Sequence, residues 1–192
     1  MKYINHSLKG TYGYLKSQRN FEFIKTIILF AMALGIFFIG YFTLGTKKSL
    51  WTVFAILGML PACKSLVGLI MFFRFDSLKI NEYNKYSLAV GSLPTLYENV
   101  ITTNEKSYFL PVICCENNTF IAYCKVKKEE DIGKVTDHIE LVLKNAGHKV
   151  SVKIFDDEEA FIKRASEMCS KMSGEKLLST EAVFNTIKAV SL

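Results

Sequence analysis

Acidic side chains are almost missing from the first 75 residues, where Glu22 stands alone against nine lysines and arginines. From residue 76 onward fifteen basic residues meet seventeen acids, so the formal net charge of +6 belongs to the first part of the chain. A nucleic-acid module concentrates positive charge on the folded surface that meets phosphates. Here that part is slightly acidic, and nucleic acid is not an expected partner. Proline occurs three times and glycine eleven times in 192 residues, with no repeated block, which excludes collagen-like, low-complexity and solenoid chains. The length excludes a large multi-domain enzyme or a long transporter. No G-x-x-x-x-G-K-[ST] loop, no G-x-G-x-x-G after a strand and no G-x-S-x-G elbow is found, so phosphate-binding and acyl-enzyme chemistry lack their signatures. Five cysteines (63, 114, 115, 124 and 169) suit free thiols in a reducing compartment, because an odd count closes no disulfide set.

What the chain has is apolar length. Half of it is hydrophobic and its mean hydropathy is +0.21. Residues 26–46 carry no charge, and at about 1.5 Å per residue they match the roughly 30 Å hydrocarbon core of a bilayer. After Lys47-Lys48-Ser49 a second apolar stretch covers 50–73, interrupted by Pro61 and Lys64, with Trp51 and Arg74 as interface anchors. A cleaved signal peptide fits the first stretch poorly, because the polar leader is long and a second apolar run follows. The expectation is an antiparallel transmembrane hairpin over 24–75. Residues 1–23 form a basic and aromatic leader suited to the headgroup region. Lys2, Lys9, Lys16, Arg19 and Lys25 precede the first span and Arg74, Lys79 and Lys85 follow the second, whereas only Lys47 and Lys48 lie between. The positive-inside rule then places the protein in the cell membrane with both termini cytoplasmic.

Lys64 is the most unusual residue in the spans. On the sequence it lies roughly 13 Å from the inner end of the second span, where a charge costs about 2.5–3.5 kcal/mol and marks a pathway or a partner. The plain reading is a lysine snorkelling along a helix kinked by Pro61. The functional reading makes it a contact to a membrane-protein partner or a second copy of the chain, or part of a polar pore. Gly58 and Ala62 on the second span, with Ala31 and Gly35 at corresponding depth on the first, are small enough for close helix approach.

Residues 76–90 read as a polar stalk and 91–192 as a small cytoplasmic domain. Ser92-Leu93-Pro94 opens a helix carrying Leu96, Tyr97, Val100 and Ile101. Tyr108–Glu116 and Thr119–Lys127 flank Asn117-Asn118 as a β-hairpin. With Glu116 opposite Thr119, one face carries Pro111, Ile113, Cys115, Phe120, Ala122 and Cys124, and the other carries Leu110, Val112, Cys114, Ile121 and Tyr123. Both faces are apolar, so helices cover both sides. A helix over 129–146, a strand over 149–155, a helix capped by Asp156 and a last helix capped by Thr180 follow. The fold class is thus a two-helix membrane hairpin plus a small cytoplasmic α/β (α+β) domain with a short mixed sheet, in the order (α)ββαβαα.

That order resembles the restriction-endonuclease-like nucleases, in topology only and only from the hairpin through the following helix and strand. Where those nucleases carry an acid-x-Lys pattern, the string here is Tyr123-Cys124-Lys125, and Cys114-Cys115-Glu116 replaces an aspartate at the tip of the preceding strand. A hard cation would lack its oxygen ligands, so nuclease chemistry is not expected. The thiols read as core residues, and Asp156-Asp157-Glu158-Glu159 as a helix cap. No cofactor is implied. The expected function is regulatory, sensory or scaffolding, by protein–protein interaction beside the lipid bilayer. The alternatives are an enzyme completed by a partner or oligomer, and an oligomeric pore-forming effector.

Overall fold

In a computed structural model the described residues are 9–44, 50–103, 105–116, 118–125, 129–171 and 177–192. The chain divides into two units, one formed by Leu15–Asp76 and the other by residues 9–14 together with Ser77–Leu192.

The first unit is a pair of helices, α1 (Tyr14–Leu44) and α2 (Leu50–Phe73), both long and apolar enough to cross a membrane. α1 starts well before the charge-free run, so 14–23 of the expected leader are helical. Pro61 lies inside α2 without ending it. Large apolar side chains stand uncovered on both helices, Phe42 at 80% and Leu60 at 65% exposure among them. The lysine-rich turn between the helices lies outside the described residues.

The second unit is an α/β domain around one four-stranded mixed sheet. Its order along the chain is α3 (Ile80–Val90), β1 (Thr95–Thr102), β2 (Ser107–Glu116), β3 (Thr119–Tyr123), α4 (Glu129–Asn145), β4 (Ser151–Phe155), α5 (Glu158–Ser170) and α6 (Leu177–Val190). In the sheet the strands lie in sequence order, with β1, β2 and β3 antiparallel and β4 parallel to β3 through the α4 crossover. Two expectations are corrected. The stalk holds a helix, α3, whose Tyr86 and Val90 are buried in the core. The helix expected after Pro94 is instead strand β1. Thr95, Tyr97, Val100, Ile101 and Thr102 are β-formers, and the long β2 offers a full partner edge that outweighs the helical spacing of the apolar residues.

The β2–β3 register has Glu116 opposite Thr119 and Val112 opposite Tyr123, as the hairpin pattern implies. One face packs Ile113, Cys115, Phe120, Ala122 and Cys124 with α4 and α6, through Val135, Ile139, Leu143, Val183 and Ile187. The other packs Val112, Cys114, Ile121 and Tyr123 with α3 and α5, through Tyr86, Val90, Phe161 and Ala165. Leu110 departs from the expected alternation and joins Ile113 and Cys115 on the first face. The alternation shifts phase at one step of the β1–β2 ladder, where Glu98 and Pro111 fall between the pairs Tyr97↔Val112 and Asn99↔Leu110. Pro111 has no N–H to give, and Glu98 takes a left-handed φ of 52°, a conformation that costs a non-glycine residue about 1–2 kcal/mol.

The helix ends differ from expectation by small steps. Asp157, not Asp156, caps α5, its carboxylate accepting from the N–H groups of Glu159 and Ala160 at 3.2 Å each. α6 starts before Thr180, which is buried within it.

The kink turns Glu98 into the core, where it is 1% exposed. Its carboxylate accepts a hydrogen bond from the Ser77 hydroxyl and another, at 2.9 Å, from the Leu78 N–H. These are the first residues of the domain after α2. Replacing Glu98 by alanine leaves the Leu78 N–H buried without that acceptor, and the cost expected is about 2 kcal/mol or more. Glu98→Gln, which keeps an acceptor, should lose less. Urea titration of the full chain in detergent, read by the reactivity of the buried thiols Cys114, Cys115 and Cys124, measures this. An unchanged midpoint in Glu98→Ala would remove the clamp from the account.

Candidate functional site

The hairpin holds the residues singled out from the sequence, and its register places them. The Thr26 and Ser65 hydroxyls are hydrogen-bonded at 2.9 Å, and a Cβ built on Gly58 would lie 3.7 Å from that of Ala33. Both pairs obey one antiparallel alignment. Gly58 therefore meets Ala33, not Gly35, and Gly35 has nothing within 4 Å of its Cβ position. Ala62 is fully buried, whereas Pro61 and Lys64 are exposed.

The same alignment sets Lys64 against α1. Because Ser65 lies opposite Thr26, Lys64 is level with the start of the charge-free run of α1, not with its middle. At that level sits a polar band that sequence reading did not assemble. Glu22, with only 13% of its side chain exposed, accepts from Ser65 Oγ at 3.1 Å and pairs with Lys25 at 3.2 Å. Thr26 is also bonded to the Glu22 carbonyl at 2.7 Å. The signal was present in the sequence: Glu22, Lys25 and Thr26 share helical spacing, and Glu22 is the sole acid before residue 76. What was missing was the α2 position they face.

In the α/β domain the acid-x-Lys position falls at the end of β3. Tyr123 pairs with Val112 and Glu116 with Thr119, so Tyr123 and Glu116 are at opposite ends of the hairpin, about 13 Å apart along the strand. Around Tyr123 the geometry assembles Tyr86, Phe155 and Phe161, with ring centroids 6.0–6.5 Å apart. Lys85 pairs with Glu158 at 3.0 Å beside them. Burial, then the neighbouring Glu158, drives the Tyr86 hydroxyl upward in pKa, so it stays protonated. Such a cluster packs and does not grip a cation. Among the described residues no three His, Cys, Asp or Glu side chains converge on a metal-sized space.

The cysteines expected in the core are there. Cys114, Cys115 and Cys124 are all buried, and burial pushes each thiol up to about 12 from an ordinary 9.0. A nucleophilic cysteine needs the opposite shift. His148 is half-buried and its Nε2 meets Thr186 Oγ1 at 3.1 Å, tying the turn before β4 to α6. Beside it lies a shallow depression of about 400 Å³ lined by Glu140, Lys144, Gly147, His148, Lys149 and Val150, of mixed charge and without converging donors.

The most connected polar position in the domain is β1 itself. The Gly10 carbonyl accepts from the Tyr97 N–H at 2.8 Å, and Tyr12, Tyr83 and Tyr97 form a row of rings, the first pair tilted and the second edge-to-face, with centroids 4.4 and 5.0 Å apart. Gly10 has φ +87°, and a Cβ there would meet Leu96 Cδ2 at 2.7 Å, so only glycine lets the segment lie this close. Lys9 Nζ reaches the Lys188 carbonyl at 2.9 Å and that of Ser191, closing the end of α6. Leu192 N–H donates to Val100 O at 2.9 Å. Residues 9–12 of the expected lipid-facing leader are thus part of the α/β unit, and the outer edge of β1 is covered by both ends of the chain.

The chain matches no family profile, no curated protein and no solved structure.

Two outcomes are expected. In a Cys63→Ser background, Ala33→Cys with Gly58→Cys should oxidise to an intramolecular disulfide, since the Cβ separation suits one, whereas Gly35→Cys with Gly58→Cys should not. Gel mobility with and without reductant reads the difference, and equal yields would refute the register. The second concerns alkali. A thiol whose folded pKa is raised stabilises the fold fully below its unfolded value near 9, and that contribution is lost as pH rises towards 12, at about 1.4 kcal/mol per pH unit and thiol. The urea midpoint should fall from pH 9 upward, and Cys114→Ala should flatten the slope. A slope unchanged in that variant would mean its thiol is not shielded.

Proposed function

We propose that this chain is an integral membrane protein whose hairpin tethers the α/β unit at the cytoplasmic face, where the unit works by binding a partner and not by catalysis. The observation that carries the reading is the contrast in apolar exposure. On α1 and α2, Phe38, Ile39, Phe42, Ile56, Leu60 and Ile70 are all more than half exposed. In the α/β unit the large apolar side chains are sealed into two layers, with Leu88, Ile80 and Leu141 the marked exceptions. Water would penalise the first surface by roughly 25 cal/mol per Å2, and lipid removes that penalty.

The orientation rests on the lysines and arginines flanking the outer ends of the two helices. The binding role is supported by the way the domain is built. The segment entering α1 and the segment leaving α2 are both held on adjacent residues of β1, Tyr97 and Glu98. A displacement of either helix, by a membrane partner or a second copy of the chain, would load the same strand. The raised pKa values of Cys114, Cys115 and Cys124, and the absence among the described residues of three converging metal-ligating side chains, favour binding over thiolate or metal chemistry.

Full-length protein should stay in the membrane pellet through an alkaline carbonate wash and leave it in mild detergent. In sealed cells an impermeant maleimide should not reach Cys169, which is partly exposed in the folded domain, until the membrane is opened. Release without detergent would sink the anchor. Labelling of Cys169 in intact cells would invert the topology.

A further inference from the structure

Lys64 is a charge of the hairpin, exposed within the apolar part of α2, that the polar band does not absorb. Glu22 is satisfied by Lys25 and Ser65, and Lys64, on the other helix, makes no ion pair among the described residues. Lys25 and Lys64 each precede a member of the bonded pair Thr26–Ser65. In antiparallel helices a step of about 100° back from two facing residues turns both side chains to the same side. Gly68 provides an independent check. It lies one turn beyond Lys64 on the same face, and its Cβ position meets Glu22 Oε2 at 4.0 Å, so Lys64, Gly68, Glu22 and Lys25 share one face.

A side chain at 68 would lean back over the turn that carries Lys64, because helical Cα–Cβ bonds tilt towards the N-terminus. Glycine leaves that patch bare, with the Glu22 carboxylate at its edge. The face thus has a notch where glycine stands without a side chain, and the lysines at 25 and 64 bring to it one positive charge more than Glu22 matches.

We propose that this notch is a binding site for one anionic phospholipid, its phosphate held by Lys64 with Lys25 alongside and its glycerol backbone seated over Gly68. The inference rests on the membrane-anchored reading and adds a ligand to it. A zwitterionic headgroup competes poorly, since its own cation faces the two lysines, whereas phosphatidylglycerol brings uncompensated charge.

The test uses the full chain in detergent, equilibrated with phosphatidylglycerol or phosphatidylcholine of identical acyl chains and read by native mass spectrometry. One retained phosphatidylglycerol per chain, in preference to phosphatidylcholine, is the expected result. Lys64→Gln should weaken retention about fivefold. Gly68→Leu, which keeps every charge and fills the notch, should also weaken it, while Lys163→Gln, an equal loss of charge on the α/β unit, should not. Equal retention of the two lipids, or no change in both Lys64→Gln and Gly68→Leu, overturns the site. Displacement of the lipid by millimolar inorganic phosphate would reassign it to a soluble anion and overturn the lipid assignment. Fractionation separates the two levels of the claim: a chain found in membranes without lipid preference loses only this site, and a chain that needs no detergent loses the anchor as well.

Discussion

The buried carboxylate of Glu98 is the constraint on which the organisation of this protein turns. A carboxylate inside a sheet is expensive to desolvate and is tolerated only with donors in place. Here the donors are the Ser77 hydroxyl and the Leu78 N–H, at the point where the chain leaves the hairpin and enters the domain. To present its side chain there, Glu98 adopts a left-handed backbone opposite a proline that has no N–H to donate, and the β1–β2 ladder changes phase around them. The strain is local and its consequence is not. One residue earlier, Tyr97 binds the segment that precedes α1. A single kinked step of an edge strand thereby receives both covalent links to the apolar helices.

The hairpin obeys a different economy. Between two helices whose outer surfaces are apolar, the contact is fixed by small residues and by hydrogen bonds between side chains. Ala33 against Gly58 supplies the first, and the Thr26–Ser65 bond with Glu22 supplies the second. These contacts set an alignment in which every charged residue of the two helices between Glu22 and Lys64 falls at one level. Lys64, which looks stranded on its own helix, is in line with Lys25 and Glu22 on its neighbour. Read on α2 alone, Lys64 interrupts an apolar stretch; read across the pair, it stands beside the start of the charge-free run of α1.

Several features of the domain were legible in the residues because they depend on near neighbours. The hairpin around Asn117-Asn118 and its register follow from alternation and the turn, and α4 and β4 from periodicity and flanking glycine. The burial of Cys114, Cys115 and Cys124 follows from the same alternation. Strand β1 was misread as helix, because Leu96, Tyr97, Val100 and Ile101 also suit a helical stripe and nothing local shows that β2 waits with an unpaired edge. Helix α3 reads as a polar stalk in the sequence since only Tyr86 and Val90 commit it to the core. Strict alternation places Leu110 on the opposite face because it cannot anticipate a phase shift made jointly by two strands.

Composition and charge order, read along the chain, were enough to establish two apolar helices followed by a small mixed α/β domain, since helix length and burial period are local quantities. Which glycine meets which alanine, which hydroxyl meets Glu22 and how far Lys64 lies from the edge of the apolar run required the pairing of α1 with α2. The closure of β1 by residues 9–12, Ser77 and Leu192 likewise joins segments from both ends of the chain. Contacts of that span have no periodicity to announce them. They arise only when the folded backbone leaves unpaired N–H and C=O groups that some distant segment must satisfy.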